Sequence, residues 1–240
     1  MASNLDFFVA FLLGILPGIG ILWVSLRRFD RPHVDHTLFD DRRVFGGLAA
    51  GLVFGTVASV LTLSLSGYES LWVFVAAVVL EESFKLVYLN RRSYQGRFDT
   101  TFYGIPLGIG IAASGVVVSA WLSRDTLYVP ETLGLLLVLS VSLGLVNADT
   151  GSIIGFRASR KEMWPSFLRA IGFRFAHAAF LFPFILRVDE PFSAISAATS
   201  AGFALLVYYY VYHRILPGTL PEDLRRELRR DRRRAFTPRG

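Results

Sequence analysis

Seven ionisable or amide side chains stand inside strongly apolar stretches of the 240-residue sequence: Glu81, Glu82, Lys85, Asn147, Asp149, Arg174 and His177. Two adjacent carboxyl groups in a medium of low dielectric can supply a base and an acid to the same site. Glu81 or Glu82 would therefore fit the role of a general base, which a reaction such as hydrolysis needs. Ionisable residues at membrane depth are functional-site candidates in general, because each is costly to insert.

Membrane-spanning helices are the elements that would position these groups. Hydrophobic residues make up 53% of the sequence, charged residues only 18%, and there is no Cys, which excludes a disordered chain and a disulfide-stabilised secreted scaffold. A helix needs about 20 mostly apolar residues to cross a bilayer. Seven stretches predict an all-α membrane bundle: Leu5–Leu26, Val44–Leu65, Leu71–Asn90, Phe102–Leu122, Leu133–Phe156, Pro165–Leu186 and Phe192–Val211.

The basic residues predict the orientation of this bundle. Links rich in Lys and Arg alternate with links that hold one or none, and the C-terminal tail is rich in Arg. Because basic links stay in the cytoplasm, we expect the N-terminus outside and the C-terminus inside a multi-pass plasma-membrane protein. Residues 1–213 would form the membrane domain and 214–240 a basic tail, which is either an amphipathic helix on anionic headgroups or solvated. The net charge of +6 thus reflects the basic residues of the cytoplasmic links and tail. The lipid bilayer, rather than nucleic acid, is the expected partner.

Depth along the predicted helices brings the polar groups together. Counting inward from the ends of the stretches puts three of them near the midplane: Glu81, Asn147 and His177. The others lie about one helical turn nearer the cytoplasm: Lys85, Asp149 and Arg174. Three helices that present polar groups at matching depths predict a shared interior cavity. Glu82 and Lys85 lie three residues apart on one helix face, so their side chains should meet.

Two other interpretations of these residues remain beside the catalytic one. Lys85–Glu82 and Arg174–Asp149 could be buried ion pairs that only fix the packing of the helices. A divalent metal such as zinc on Glu81, Glu82 and His177 has weak support, since zinc sites usually recruit Cys or more than one His. A second group with ligand-like residues, His33-Val34-Asp35-His36, lies in a loop.

The ordered motifs on successive helices resemble the PrsW family of intramembrane proteases, relatives of the CAAX-protease and bacteriocin-processing (CPBP) superfamily. Glu81-Glu82-Ser83-Phe84-Lys85 is similar to the first motif of that family, EExxK. Further matching residues follow in order: Asp99, Tyr103-Gly104, Gly108, Gly110-Ile111-Ala112, Asn147, Thr150, Gly155 and His177. The resemblance covers about residues 44–187.

The resemblance implies a polar cavity that opens toward the cytoplasm or the mid-membrane, and the hydrolysis of a peptide bond in it. A glutamate of the first motif would activate the water, His177 and Asn147 would face the oxyanion, and Lys85, Asp149 and Arg174 would support the site. The implied substrate is a single-span membrane protein such as an anti-sigma-factor-like protein.

The chain departs from the family pattern at three positions. Gly115-Val116 stands where the family has a Glu-Asn pair, Asn147 where it has His, and Leu181 where it has a polar residue. Three hypotheses follow: an active endopeptidase with a reduced site, a degenerate relative that binds a membrane segment or protein partner without cutting it, and a small transporter or proton-relay protein.

Overall fold

The computed structural model describes residues 4–29, 38–65, 71–160, 162–185 and 191–226, and the regular structure in these ranges is helical. The helices in chain order are α1 Asn4–Leu26, α2 Asp41–Ser64, α3 Leu71–Leu89, α4 Thr100–Leu122, α5 Pro130–Ala158, α6 Met163–Ile185, α7 Phe192–Tyr210 and α8 Leu216–Thr219. A π-helical turn, Val211–Ile215, joins α7 to α8, and a 3₁₀ turn, Arg124–Thr126, precedes α5. The predicted all-α class is confirmed, and each predicted stretch coincides with one helix.

Within the described residues, five helical segments are long and apolar enough to cross a membrane: Asn4–Leu26, Asp41–Thr62, Thr100–Leu122, Pro130–Ala158 and Phe192–Thr219. The two other long helices, α3 and α6, carry most of the charged side chains that the sequence has within apolar stretches. In α3 the residues Glu81, Glu82 and Lys85 fall within a helix of 19 residues. Five apolar helices of this length are typical of a multi-pass membrane protein.

The central helix of the bundle is α4, which is buried almost continuously from Thr100 to Ser114. Glycines let its neighbours approach closely, as small residues do where membrane helices pack. A Cβ on Gly51 in α2 would lie 2.2 Å from the Leu107 carbonyl oxygen, and one on Gly108 in α4 would lie 1.9 Å from the Asn147 carbonyl oxygen. Backbone contact on both sides of α4 therefore fixes α2 and α5, and with α5 the position of Asn147.

The Arg-rich end of the bundle is closed by a hydrogen-bonded connection between α2, α3 and α4. Tyr103 in α4 accepts from the backbone N–H of Asp40 at 2.9 Å and donates to the Asp99 carboxylate at 3.0 Å. Arg97 holds the same carboxylate through Nε and a terminal nitrogen. Burial raises the pKa of Tyr94 in this connection, and its hydroxyl donates to that of Tyr88 at 3.5 Å.

The last helical segment extends past the predicted domain boundary at residue 213. Ile215, Leu216 and Leu220 are buried in the main core, and the hydroxyl groups of Thr101 and Thr219 lie 2.7 Å apart. The chain is helical again over 222–226. The rest of the predicted basic tail, and the loop with His33 and His36, lie outside the described residues.

Candidate functional site

A fully buried lysine forms the first part of the site. Lys85 has no exposed surface, and its Nζ donates to Glu82 Oε1 at 2.7 Å, Asn147 Oδ1 at 2.8 Å and Thr150 Oγ1 at 2.8 Å. An ammonium group has three hydrogens, so each of them has an acceptor. The Thr150 hydroxyl in turn donates to Glu82 Oε1 at 3.1 Å. This cluster joins α3 to α5 and confirms the predicted contact between Lys85 and Glu82.

A second ion pair joins α3 to α6. Arg174 donates to Glu81 Oε2 at 2.6 Å, and its Nε lies 3.5 Å from Glu82 Oε1. The predicted pairing of Arg174 with Asp149 is therefore wrong, because α6 is rotated so that Arg174 faces the two glutamates of α3. The two carboxylates differ in exposure: the Glu81 side chain is 20% exposed, whereas that of Glu82 is fully buried.

Glu81, Asn147 and Arg174 form the polar floor of a cavity of about 270 Å³. The walls come from five helices and are mainly apolar, with Phe74, Leu135, Leu136, Leu139, Leu143 and Leu181 among the lining residues. At the far end the cavity is lined by Ser123 and Thr132, which are half-buried and lie where α4 gives way to α5. The cavity thus extends from mid-helix depth toward the end of the bundle opposite the Arg-rich links. The family resemblance implies a cavity that opens toward the cytoplasm or the mid-membrane. The Arg-rich links are predicted to lie on the cytoplasmic side, so the observed cavity extends toward the opposite side.

The remaining predicted residues are buried away from the cavity walls. His177 is 1% exposed, and its Nε2 has no hydrogen-bond partner among the described residues. Asp149 is likewise 1% exposed, and its Oδ2 has no partner in the same part of the chain. Neither residue lines the cavity. The structure therefore brings together Glu81, Glu82, Lys85, Asn147 and Arg174, and the predicted role of His177 on an oxyanion stays a prediction.

No family model, curated protein or solved structure matches this chain. The candidate site therefore rests on its own geometry and on the motifs quoted above.

The donor set around the two glutamates does not fit a metal ion. Glu81 and Glu82 direct their oxygens at the cations Arg174 and Lys85, which compete for the positions that a metal would take. Among the described residues, no group of three His, Cys, Asp or Glu side chains is arranged to hold a metal ion. Glu81, Glu82 and His177 therefore do not form such a group.

Two features of the site were missed from the sequence. One is the bridging hydroxyl of Thr150, a residue that the sequence identifies only as a match to the family motifs. The other is a stripe of small residues on α4 that faces the cavity: Gly115, Ser119 and Ser123. Their spacing of four residues is the available signal, since residues at i and i+4 share a helix face.

Proposed function

We propose that this protein is an intramembrane endopeptidase that resembles the PrsW proteases and hydrolyses a peptide bond with a water activated by Glu81. The observation that supports it is the exposure of Glu81 on the cavity wall, where its side chain is 20% exposed. A general base must reach the proton that it removes. Glu82 is sealed behind Lys85, so Glu81 is the carboxylate of this pair that can meet a water or a substrate.

The cavity residues can carry the proton transfers of hydrolysis. Glu81 takes one proton from water as the water oxygen bonds to the carbonyl carbon of the substrate. The negative charge that develops on the carbonyl oxygen faces the guanidinium of Arg174, with the amide of Asn147 on the same cavity floor. When the C–N bond breaks, Glu81 returns its proton to the leaving nitrogen. The products are a new carboxyl terminus and a new amine terminus.

The proposal includes a placement in the membrane. All seven long helices, α3 and α6 among them, would cross the plasma membrane, with the N-terminus outside and the Arg-rich links in the cytoplasm. The substrate would be a membrane-anchored protein with a single span, such as an anti-sigma-factor-like protein. The ion pairs of α3 and α6 support the proposal that these two helices also cross the membrane, because each charged side chain finds its partner inside the bundle rather than facing lipid.

Glu81→Gln in proteoliposomes tests the endopeptidase. With a single-span reporter protein, we expect cleavage to fall by at least about 100-fold, the usual contribution of a general base. Glu162→Gln makes the same chemical change at an exposed surface ion pair and should leave cleavage unchanged. Unchanged cleavage in a folded Glu81→Gln protein would contradict the proposal.

A second candidate function is binding without hydrolysis. The 2.6 Å contact between Glu81 and Arg174 favours it, because the carboxylate oxygen that would take a proton from water already accepts a hydrogen bond from the guanidinium. Such a protein would hold a membrane segment or a partner in the cavity. It predicts that wild-type protein cuts no reporter, and that Glu81→Gln protein still binds the reporter in a pull-down from the same proteoliposomes.

A further inference from the structure

The cavity is long and narrow. Along α5 its lining runs from Thr132 to Asn147, which is about 22 Å at 1.5 Å per residue. Spread evenly over that length, the 270 Å³ open to the centre of a water molecule of about 1.4 Å radius corresponds to a passage about 7 Å wide, which is narrower than an α-helix with its side chains at about 10–12 Å. The cavity therefore has room for a single extended chain rather than for a helix.

Hydroxyl groups along the cavity favour a peptide over an acyl chain as its occupant. Ser59, Ser119, Ser123 and Thr132 interrupt the apolar lining. The Ser119 hydroxyl donates to the Gly115 carbonyl at 2.9 Å, and its oxygen still has lone pairs that can accept. An extended peptide carries a backbone N–H at each residue that needs an acceptor in apolar surroundings, whereas an acyl chain has no such need.

Gly115 is the position where the cavity is kept open. A Cβ at Gly104, Gly108 or Gly110 would lie 2.1, 1.9 or 2.4 Å from a neighbouring backbone oxygen, so packing requires these glycines. At Gly115, by contrast, an added Cβ would meet only the Ser59 hydroxyl, at 3.7 Å. The absence of a side chain there leaves space in the cavity seven residues along α4 from Gly108, which contacts Asn147 on the cavity floor, a distance of about 10 Å.

We propose that the cavity binds one extended, uncharged peptide segment that enters at the Ser123–Thr132 end, and that Gly115 sets the size of the side chain accepted about three residues from the cavity floor. The inference rests on the proposed function in one respect, namely that the occupant is a peptide. It adds the conformation of the substrate, its direction of entry and a residue that determines specificity.

Cysteine protection measures occupancy without any cleavage, because the chain has no native Cys. The variant Ser119→Cys, reconstituted in liposomes, is labelled with a water-soluble maleimide in the presence of an uncharged decapeptide of alternating Leu and Ala. At about ten times its Kd the peptide should slow labelling about tenfold, since the empty fraction falls as 1/(1 + [L]/Kd). Dodecanoic acid should not slow it. Protection by dodecanoic acid but not by the peptide, or by neither, would overturn the proposal.

Three further cysteine variants control for position and side. Asp125→Cys lies in the connection between α4 and α5, where the side chain is 89% exposed, and the peptide should not protect it. Ser123→Cys and Ser93→Cys mark the two ends of the bundle, so an impermeant maleimide identifies the side of each. Peptide added on the Ser123 side should protect Ser119→Cys. Protection only from the Ser93 side would contradict the proposed entry.

The specificity role is tested by enlarging Gly115. In the Ser119→Cys background, Gly115→Leu should raise the Kd of the decapeptide at least about tenfold, a loss of about 1.4 kcal/mol. Gly134→Leu, at an exposed α5 glycine with the same free space, should leave the Kd unchanged. An equal Kd in both variants removes Gly115 from the proposal. If the peptide protects Ser119→Cys but no reporter is cleaved, the peptide-binding cavity is supported and the endopeptidase is refuted. If reporters are cleaved but the peptide gives no protection, the endopeptidase is supported and the peptide-binding cavity is refuted.

Discussion

Replacing Lys85 with Met removes the charge at the centre of the sealed cluster while keeping a long unbranched side chain. Glu82 then remains as a buried anion whose contact with a cation is reduced to Arg174 Nε at 3.5 Å. The acceptors Asn147 Oδ1 and Thr150 Oγ1 also lose their donor. Removing one partner of a buried ion pair costs about 3–5 kcal/mol, and we expect the free energy of unfolding to fall by this amount.

SDS titration of the protein in detergent micelles measures this loss. Arg92→Met, at an exposed position of the α3–α4 connection, makes the same substitution at a surface cation and should stay within about 0.5 kcal/mol of wild type. In Lys85→Met/Glu82→Leu both charges are gone, so only the unpaired acceptors remain, at about 1–3 kcal/mol. The reasoning fails if Lys85→Met is as stable as Arg92→Met, or if the double variant is less stable than Lys85→Met alone.

Two further substitutions test the packing that positions the site, with the same titration. Gly108→Ala puts a Cβ 1.9 Å from the Asn147 carbonyl oxygen and should cost at least about 1–3 kcal/mol, because α4 and α5 must separate. Gly20→Ala, where no atom lies within 4 Å, should cost nothing, and equal effects at the two glycines would contradict the account. Tyr103→Phe leaves the Asp40 N–H without its acceptor, while the Asp99 carboxylate keeps its two bonds from Arg97, and should cost about 1–3 kcal/mol. An unchanged stability would show that this connection does not hold the bundle together.

The helices were predictable because their cause is local. A run of about 20 apolar residues has one stable conformation across a bilayer, in which the helix satisfies its own backbone groups. The contact between Glu82 and Lys85 was predictable for the same reason, since three residues separate them on one helix. The partner of Arg174 was not. Counting residues gives the depth of a side chain but not the rotation of its helix. Asp149 and Glu81 both lie within about one helical turn of the depth predicted for Arg174, so the count could not choose between them.

The contrast between two glycines of α4 shows a second limit of the sequence. Gly108 and Gly115 occur in the same helix, and nothing in the residue type distinguishes them. The first contacts the backbone of α5, and the second faces a cavity with free space beside it. The difference depends on which helix packs opposite, which is a property of the assembled bundle. The cavity and the small-residue stripe along it therefore became apparent only in the structure.

Packing alone does not account for the charges at this depth. Each ionisable group costs at least about 2.5–3.5 kcal/mol to insert, and replacing a buried ion pair by apolar residues is often neutral or stabilising. The sealed pair has a geometric effect on its neighbour, however. Lys85 and Thr150 hold the Glu82 carboxylate against α5, which fixes the rotation of α3 and thereby directs Glu81 into the cavity. An endopeptidase that depends on Glu81 should therefore lose cleavage in Lys85→Met/Glu82→Leu even where the protein is folded, because the base is no longer aimed at the substrate. Full cleavage by the folded double variant would show that the orientation of α3 does not depend on this pair.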